Sequence, residues 1–352
     1  MKSQISLKRL RYGQVARLPV GPRMVALSSC SSSYTSNSNR GLRTDARSQQ
    51  LSFDQTTRPQ KWSSLPTVSQ LRRYSTPEQK SASKRLFDQF NVHGKVFIVT
   101  GGGRGLGLMI AEGVAEAGGK AYCLDRLPEP DEEFAFAQAR ADPKSGGSLH
   151  YRRVDVRNQK DLEEVIEGVS KDSGRLDGLV TAAAVQQIKP AVECSKEDIE
   201  TMLDINYTGV FMAATCAAKQ MVKYKCEGSI VLIASMSGFI ANKGLLSSVY
   251  NSSKAAVVQL GRSLAMEWGR MDVEGCRCIR VNSLCPGHIV TPMVEENFRE
   301  DPSLKKNWEE ENMMGRLSAT EEFKGPALFL LSDASSFMTA SSLVVDGGHT
   351  AW

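Results

Sequence analysis

Four polar side chains between residues 235 and 254 have the types and spacing of a proton-transfer site. Tyr250 and Lys254 are four residues apart, so on a helix they lie on one face, one turn from each other. A lysine in that position stabilises a phenolate, lowers the pKa of the tyrosine and can bind the hydroxyls of a ribose. Ser235 and Ser237 follow an apolar run at 229–234, which predicts a buried strand. Because ligands bind at the carboxyl ends of parallel strands, both serines are predicted to reach this site.

A glycine-rich loop upstream indicates what else the site would bind. An apolar run at 96–99 predicts a buried strand, and residues 108–117 predict a helix packed against it. Between them, Gly101, Gly105 and Gly107 allow a tight turn and the close approach of a pyrophosphate. The phosphates would be bound by unpaired amides at the start of the helix. With a strand before it and a helix after it, the loop favours nucleotide binding over a plain surface turn.

The residues that follow a second apolar run, 121–124, bear on the choice of nucleotide. Asp125 lies 18 residues beyond Gly107, about where a dinucleotide site places a carboxylate to bind the adenosine ribose hydroxyls. Such a carboxylate repels a 2′-phosphate, which favours NAD. Arg104 and Arg126 favour NADP, since either guanidinium could neutralise that phosphate. NAD is therefore the predicted cofactor and NADP the alternative.

The chain then alternates between strands and helices, which is typical of an α/β fold with a parallel sheet. The further elements predicted before residue 182 are strands 149–154 and 176–181 and helices 131–141 and 158–172. Asp155 closes the first of these strands and is placed to meet an adenine amino group. Ala183 lies in a run of small residues after the second strand, which would let the backbone lie flat against a cofactor or simply pack tightly.

Asn206 occupies an unusual position in a predicted helix. A capping box at Ser195 and Asp198 opens this helix, which is predicted to continue to about Tyr224. Asparagine in the middle of a helix is unfavourable unless its amide has a task. The alternative is a helix irregularity in which the amide is satisfied locally.

Taken as a set, these motifs resemble the short-chain dehydrogenase/reductase family over about residues 91–352. The resemblance rests on Thr100-Gly-x-x-x-Gly-x-Gly107, Asn206, the strand-end serine and Tyr250-x-x-x-Lys254. Pro286-Gly287 after a strand at 279–285, and Val345-Asp-Gly-Gly348, extend it. The resemblance implies one Rossmann-like, doubly wound α/β domain with a seven-stranded parallel sheet, assembled as a homotetramer or homodimer.

The resemblance also implies roles for individual residues. Tyr250 would be the acid/base, Lys254 would tune it, the serine would polarise the reacting carbonyl or hydroxyl, and Asn206 would hold a water that links Lys254 to solvent. Ile289 and Thr291 would bind the nicotinamide carboxamide. The residues implied to bind the cofactor are Gly101, Arg104, Gly105, Leu106, Gly107, Asp125, Asp155, Val156, Ala183, Tyr250, Lys254, Pro286, Ile289 and Thr291.

Two features depart from the usual family pattern. Thr181-Ala-Ala-Ala184 replaces the common Asn-Asn-Ala-Gly, which puts the adenosine contact in doubt. Ser237 lies 13 residues before Tyr250, the commoner spacing, whereas Ser235 lies 15 before it. We choose Ser235 because it ends the strand directly and because the run 235–242 resembles fungal polyol and ketose enzymes of the D-arabinitol 2-dehydrogenase and mannitol dehydrogenase type.

The predicted substrate is a polyol that is interconverted with a ketose. Residues 293–314 are expected to form a mobile lid, and they are rich in Glu, Asn and Lys with Trp308, less apolar than a lid for steroids or long acyl chains. The alternatives are a mitochondrial 3-oxoacyl-[acyl-carrier-protein] reductase, which shares the catalytic motifs, and a non-catalytic scaffold with this fold. The intact set of candidate catalytic residues argues against the scaffold.

The two ends of the 352-residue chain differ in charge. Residues 1–90 carry 16 Lys and Arg against 4 Asp and Glu, whereas the rest carries 28 against 35. Segment 1–74 is Arg-rich and Ser-rich and contains Arg72-Arg-Tyr-Ser75, which predicts a disordered mitochondrial transit peptide and a matrix location. The alternative is a basic tail on a cytoplasmic protein. Residues 75–91 are predicted to be a linker and 92–352 the domain.

The remaining composition excludes several classes of partner. The acidic body gives no reason to expect nucleic acid binding. No apolar stretch in the leader is long enough for a secretory core or a membrane span, so no membrane partner is predicted. The eight cysteines and four histidines lack the spacing of a metal site, so no metal is expected and the thiols are predicted to be reduced.

Overall fold

The sheet begins with β1 (Val96–Thr100), whose alternate side chains enter two different cores. Ile98 packs with one cluster of buried side chains, while Phe97 and Val99 pack with another. All five residues of β1 are buried, as expected for a strand covered by helices on both faces. The computed structural model describes residues 85–141, 145–270, 278–291, 294–295, 298–299 and 301–352. The predicted transit peptide and residues 75–84 of the predicted linker lie outside the described residues.

Seven parallel strands form one sheet in the order β3-β2-β1-β4-β5-β6-β7. The other six are β2 (Lys120–Asp125), β3 (Ser148–Arg153), β4 (Gly178–Thr181), β5 (Ser229–Ile233), β6 (Arg280–Pro286) and β7 (Ser342–Val345). The strand order reverses between β1 and β4, because the chain first adds strands on one side and then on the other. Ligands bind at such a switch point, outside the carboxyl ends of the strands. The single doubly wound domain with seven parallel strands that the sequence predicts is confirmed.

Helices cover both faces of this sheet. In the part of the chain that the structure describes, the helices of eight residues or more are α1 (Gly105–Glu116), α2 (Glu132–Arg140), α3 (Gln159–Ser173), α4 (Lys196–Leu203), α5 (Gly209–Lys223), α6 (Ser248–Trp268), α7 (Ser303–Glu311) and α8 (Lys324–Leu331). Buried side chains of α3, α5 and α6 form one core with the sheet, and those of α1, α2 and α8 form the other. None of these helices combines the length and apolar character that a membrane crossing needs.

The segment that carries Asn206 is a π-helix rather than a regular α-helix. Ser195 caps α4 by accepting a hydrogen bond from the amide of Asp198, and the Asp198 carboxylate accepts one from the Ser195 amide, which forms the predicted capping box. The chain then widens into the π-helix Asp204–Thr208 before continuing as α5. Such single π-turns cost local stability and are frequent at functional sites.

Candidate active site

The carboxyl ends of the central strands open onto one cavity of about 620 Å³. The glycine loop follows β1 and forms one wall of this cavity, and Ser235 follows β5 on another. Tyr250 and Lys254 enter it from α6, and the turn after β6 contributes Pro286. The switch point of the sheet therefore gathers residues as far apart in the sequence as Gly101 and Pro286.

Of the predicted cofactor-binding residues, the structure places every one along this cavity. They are Gly101, Arg104, Gly105, Leu106, Gly107, Asp125, Asp155, Val156, Ala183, Tyr250, Lys254, Pro286, Ile289 and Thr291. Both candidate serines, Ser235 and Ser237, also line it, whereas Asn206 does not.

The glycine loop fits a pyrophosphate. A side chain on Gly107 would place its Cβ 2.1 Å from the Gly101 carbonyl oxygen, and one on Gly101 would lie 2.6 Å from the amide nitrogen of Ala183. Gly101 and Gly105 also have positive φ angles of 67° and 55°. No side chain of the described residues caps the start of α1 at Arg104, so the first amides of this helix remain available to an anion. These amides and the loop backbone would hold the phosphates of a dinucleotide.

Asp125 is held in place at the end of β2 by the glycine loop itself. Its Oδ2 accepts a hydrogen bond from the Gly103 amide at 3.1 Å, and its Oδ1 accepts one from the Leu127 amide at 3.3 Å. Arg104 and Arg126 line the same cavity. The carboxylate and both guanidiniums named in the cofactor prediction therefore lie at one end of the site, where an adenosine ribose would bind.

Asp155 also lines the cavity, but its carboxylate is already paired. The guanidinium of Arg157 donates to both of its oxygens, with an Nη2 to Oδ2 distance of 2.6 Å. This ion pair lowers the pKa of Asp155. The sequence analysis did not single out Arg157. Its position two residues after Asp155, just beyond the end of a strand, could have indicated an ion-pair partner.

Ser235 is the serine that the structure brings to the phenol of Tyr250. A hydrogen bond from Ser235 acts to lower the pKa of Tyr250, while the amide of Ser237 donates to the Ser235 Oγ at 3.1 Å. Ser237 therefore orients Ser235 through its backbone. Desolvation is the larger influence on Tyr250 and raises its pKa above the ordinary value.

The net pKa of Tyr250 is raised, opposite to the lowering that its spacing from Lys254 predicts, because desolvation outweighs the other influences. The Lys254 Nζ donates to the backbone carbonyl of Ile233 at 2.9 Å and lies 5.7 Å from the centre of the Tyr250 ring. Lys254 is only 2% exposed, and burial lowers its pKa to about 8, so the ammonium is itself destabilised there. The thiol of buried Cys285 lies near this lysine, and desolvation raises the pKa of that thiol to about 12.

Asn206 connects two walls of the site from behind. Its Oδ1 accepts a hydrogen bond from the Val185 amide, and its Nδ2 donates to the Val185 carbonyl, both at 2.9 Å. The same Nδ2 lies 3.1 Å from the Ser253 Oγ, which donates to the Tyr250 carbonyl at 2.7 Å. The amide is thus satisfied within a helix irregularity, and it fixes the segment after β4 against the turn of α6 that carries Tyr250.

Comparison with known proteins identifies the class. A family model described as enoyl-(acyl carrier protein) reductase matches residues 101–350. A short-chain dehydrogenase/reductase of Aspergillus versicolor is 39% identical over 284 residues, which are 80% of this chain and 95% of that protein. The chain belongs to the short-chain dehydrogenase/reductase family and is an oxidoreductase.

Two of the similar proteins are named for a particular substrate. D-arabinitol 2-dehydrogenase of Candida tropicalis is 31% identical over 273 residues, covering 75% of this chain and 95% of that protein. A gluconate 5-dehydrogenase from Burkholderia cenocepacia, crystallised in complex with NADP and tartrate, is 29% identical, with a TM-score of 0.67. That similarity covers 76% of this chain and 100% of that chain.

Proposed function

We propose that the protein interconverts a polyol and a ketose with a nicotinamide dinucleotide as cofactor. The observation that carries this proposal is the grouping of Ser235, Tyr250 and Lys254 in the cavity that the glycine loop also lines. Similarity to the arabinitol and gluconate enzymes supports a polyhydroxylated substrate. When bound, the nicotinamide supplies or accepts the hydride at the reacting carbon.

Tyr250 moves the proton in this mechanism. In the direction of ketone reduction, its phenol donates a proton to the substrate oxygen, and the Ser235 hydroxyl donates a hydrogen bond to the same oxygen. Because desolvation raises the pKa of Tyr250, the phenol stays protonated at neutral pH and is ready to act as the acid. In the direction of alcohol oxidation, the phenolate must accept the proton, which is favoured as the pH rises.

Lys254 acts on Tyr250 through its charge. Its ammonium form stabilises the phenolate that arises when Tyr250 has lost its proton. With a pKa lowered to about 8, Lys254 itself can release a proton near neutral pH. An ammonium on Lys254 balances a phenolate on Tyr250, so the pair carries no net charge while the proton is on the substrate.

We infer that NAD is preferred to NADP. A 2′-phosphate would bring its charge against Asp125, and at an effective dielectric of 20 like charges about 4 Å apart repel by roughly 4 kcal/mol. Arg104 and Arg126 reduce this repulsion, so the surviving preference should be about one to two decades in kcat/KM. Preference for NADP would mean that the two guanidiniums outweigh the carboxylate.

The test is a comparison of substrates and cofactors. Oxidation of arabinitol, xylitol, mannitol and sorbitol is measured with NAD and with NADP, beside the reduction of an acetoacetyl thioester. Fast polyol oxidation with NAD supports the proposal. Thioester reduction without polyol oxidation would assign the protein to the 3-oxoacyl reductases, and no turnover of any kind would favour the scaffold.

We also propose that the protein is imported into the mitochondrial matrix and works as a homotetramer or homodimer. Import is supported by the basic, Ser-rich segment 1–74. Assembly is supported by large apolar side chains exposed on neighbouring helices, among them Ile199 on α4, Phe211 on α5 and Met266 on α6, which is 75% exposed. Fractionation of cells would test the import, and light scattering would test the assembly.

A further inference from the structure

His288 lies on the turn after β6 and lines the same cavity as Tyr250, although its sequence position gave no reason to single it out. Its imidazole stacks on the indole of Trp308 from α7, with ring centres 4.0 Å apart and planes 4° from parallel. His349 from the C-terminal segment meets the same ring edge-on, with centres 5.1 Å apart. Three segments far apart in the sequence therefore fix the orientation of one ring.

The groups behind His288 are themselves held. His349 Nδ1 lies 3.1 Å from the Asn312 Oδ1, and the Asn312 Nδ2 donates to the Arg316 carbonyl at 2.7 Å. Trp308 is 3% exposed and packs with Leu245 and Leu317 in a small apolar cluster. A ring supported in this way loses little conformational entropy when it binds a ligand.

The polar edge of the His288 ring remains free for a ligand. Among the described residues none forms a hydrogen bond with either ring nitrogen. Burial lowers the pKa of His288 to about 3, with a further contribution from His349, so the imidazole is neutral at working pH. A neutral imidazole offers one N–H donor and one acceptor nitrogen. A hydroxyl group, which both donates and accepts, matches either of them.

His288 lies beside Ile289 and Thr291, the residues predicted to bind the nicotinamide carboxamide, so its part of the cavity is the part expected to hold the reacting groups. Leu245 lines the cavity and packs against Trp308, and the Lys189 amide donates to the Leu246 carbonyl at 2.7 Å. This bond ties the segment with Gln186, another polar residue of the lining, to the segment with Leu245. Trp308 of α7 and Leu245 thus enclose the wall of the cavity that carries His288.

We propose that His288 binds a hydroxyl group of the substrate next to the reacting carbon and so makes the enzyme selective for polyhydroxylated substrates. The inference rests on the proposed function. Trp308 supplies the flat apolar support, and the ring nitrogens supply the recognition. Removing such a hydrogen-bonding group lowers kcat/KM for substrates that carry the hydroxyl. It leaves kcat/KM for substrates without the hydroxyl nearly unchanged.

The test uses two variants of His288, each of which keeps a different property of the histidine side chain. His288→Phe keeps an aromatic ring that can stack on Trp308 but has no ring nitrogen, and His288→Gln keeps a donor and an acceptor without the ring. The kcat/KM is measured for arabinitol and for 2-pentanol, which has five carbons and one hydroxyl. The dissociation constant of the cofactor is measured by its fluorescence in the absence of substrate.

We expect His288→Phe to lower kcat/KM for arabinitol by about 10- to 100-fold, mainly through KM, with a change of less than about threefold for 2-pentanol. His288→Gln should recover most of the arabinitol loss, and both variants should bind the cofactor as the wild type does. Equal losses of kcat/KM on both substrates, full arabinitol activity in His288→Phe, or tenfold weaker cofactor binding would each overturn this inference. None of these results would overturn the proposed function. A wild-type enzyme that oxidises no polyol would overturn the proposed function and the inference together.

Discussion

At the scale of single residues, the site depends on side chains whose burial works against their charged forms. Desolvation raises the pKa of Tyr250 and lowers that of Lys254 to about 8, so burial shifts both groups toward their neutral forms, and Lys254 is still mostly protonated at neutral pH. The hydrogen bond from Ser235 offsets part of the effect of desolvation on the pKa of Tyr250.

Tyr250→Phe removes the proton-transferring hydroxyl and keeps the ring. A positioned acid/base contributes about 10²- to 10⁴-fold in rate, so we expect kcat to fall by that factor while the dissociation constant of the cofactor stays within about threefold. Steady-state kinetics and cofactor fluorescence measure the two effects. Retention of most of the wild-type kcat would contradict the assignment.

The two candidate serines can be separated in the same assay. Ser235→Ala removes the hydroxyl that bonds to Tyr250, so it should lower kcat by about 10- to 100-fold, as expected for one lost hydrogen bond to developing charge. Ser237→Ala keeps the backbone amide that donates to Ser235 and should change kcat only about twofold. The reverse order of effects would show that Ser237 acts.

The lowered pKa of Lys254 predicts a pH-dependent stability. Lysine has a higher pKa in the unfolded chain, so between about pH 8 and 10.5 the unfolded state binds more protons than the folded state. The free energy of unfolding therefore gains a contribution from Lys254 as the pH rises through this window, and the cost of burying the charge is fully present below pH 8. Lys254→Met lacks this term.

Denaturation of Lys254→Met and wild type at several pH values measures that term. The difference in unfolding free energy, variant minus wild type, should fall by about 3 kcal/mol between pH 8 and 10.5. Taking the difference cancels other groups that titrate in the same range. Parallel pH profiles would mean that Lys254 keeps an ordinary pKa in the folded protein.

At the scale of elements, the β1–α1 turn tolerates only glycine at its closest contact. We expect Gly107→Ala to weaken cofactor binding at least about tenfold and to lower the melting temperature, because its Cβ would lie 2.1 Å from a backbone oxygen that cannot move aside freely. Gly168→Ala in α3 is the control, since no atom lies within 4 Å of its new Cβ. That change should raise stability by roughly 1 kcal/mol through helix propensity. Equal behaviour of the two variants would refute the role given to the loop.

The sequence predicted elements where one local signal dominates. The apolar runs placed β1 and β5 within one residue, because strands buried on both faces contain little else. The helix before Tyr224 was predicted as continuous, whereas it contains the π-helix Asp204–Thr208, since a widened turn leaves no trace in hydrophobic periodicity. The helix α8 was not predicted at all.

The parts of the site that depend on contacts across the fold could not be predicted. His288 acquires its setting from Trp308 and His349, which no spacing in the sequence relates to it. The pKa of Tyr250 was predicted in the wrong direction because the four-residue spacing shows that Lys254 is near but not that the phenol is desolvated. Desolvation decides the direction of this pKa shift, and desolvation depends on the whole fold.

At the scale of the whole molecule, all seven strands of the described sheet follow the basic leader in the sequence. The first strand starts at Val96, and the contacts that anchor the chain before it include hydrogen bonds from the amides of Val92 and Gly94 to the carbonyls of Ala117 and Gly118, both 3.3 Å. These residues lie within the predicted domain 92–352, so the boundary at residue 74 stays a prediction that truncation can test.

Removal of residues 1–74 should leave kcat/KM within about twofold and the melting temperature within about 2 °C, because the seven described strands and both anchoring bonds lie beyond residue 91. Removal of residues 1–94 is the matched control: it deletes Val92, a fully buried side chain, together with both anchoring bonds, and should lower the melting temperature by several degrees. N-terminal sequencing of the protein purified from its own cells measures the natural boundary, which we expect near Ser75. A native chain that still begins at Met1 in the cytosol would overturn the proposed import, and a shortened chain without activity would show that the leader contributes to the enzyme itself.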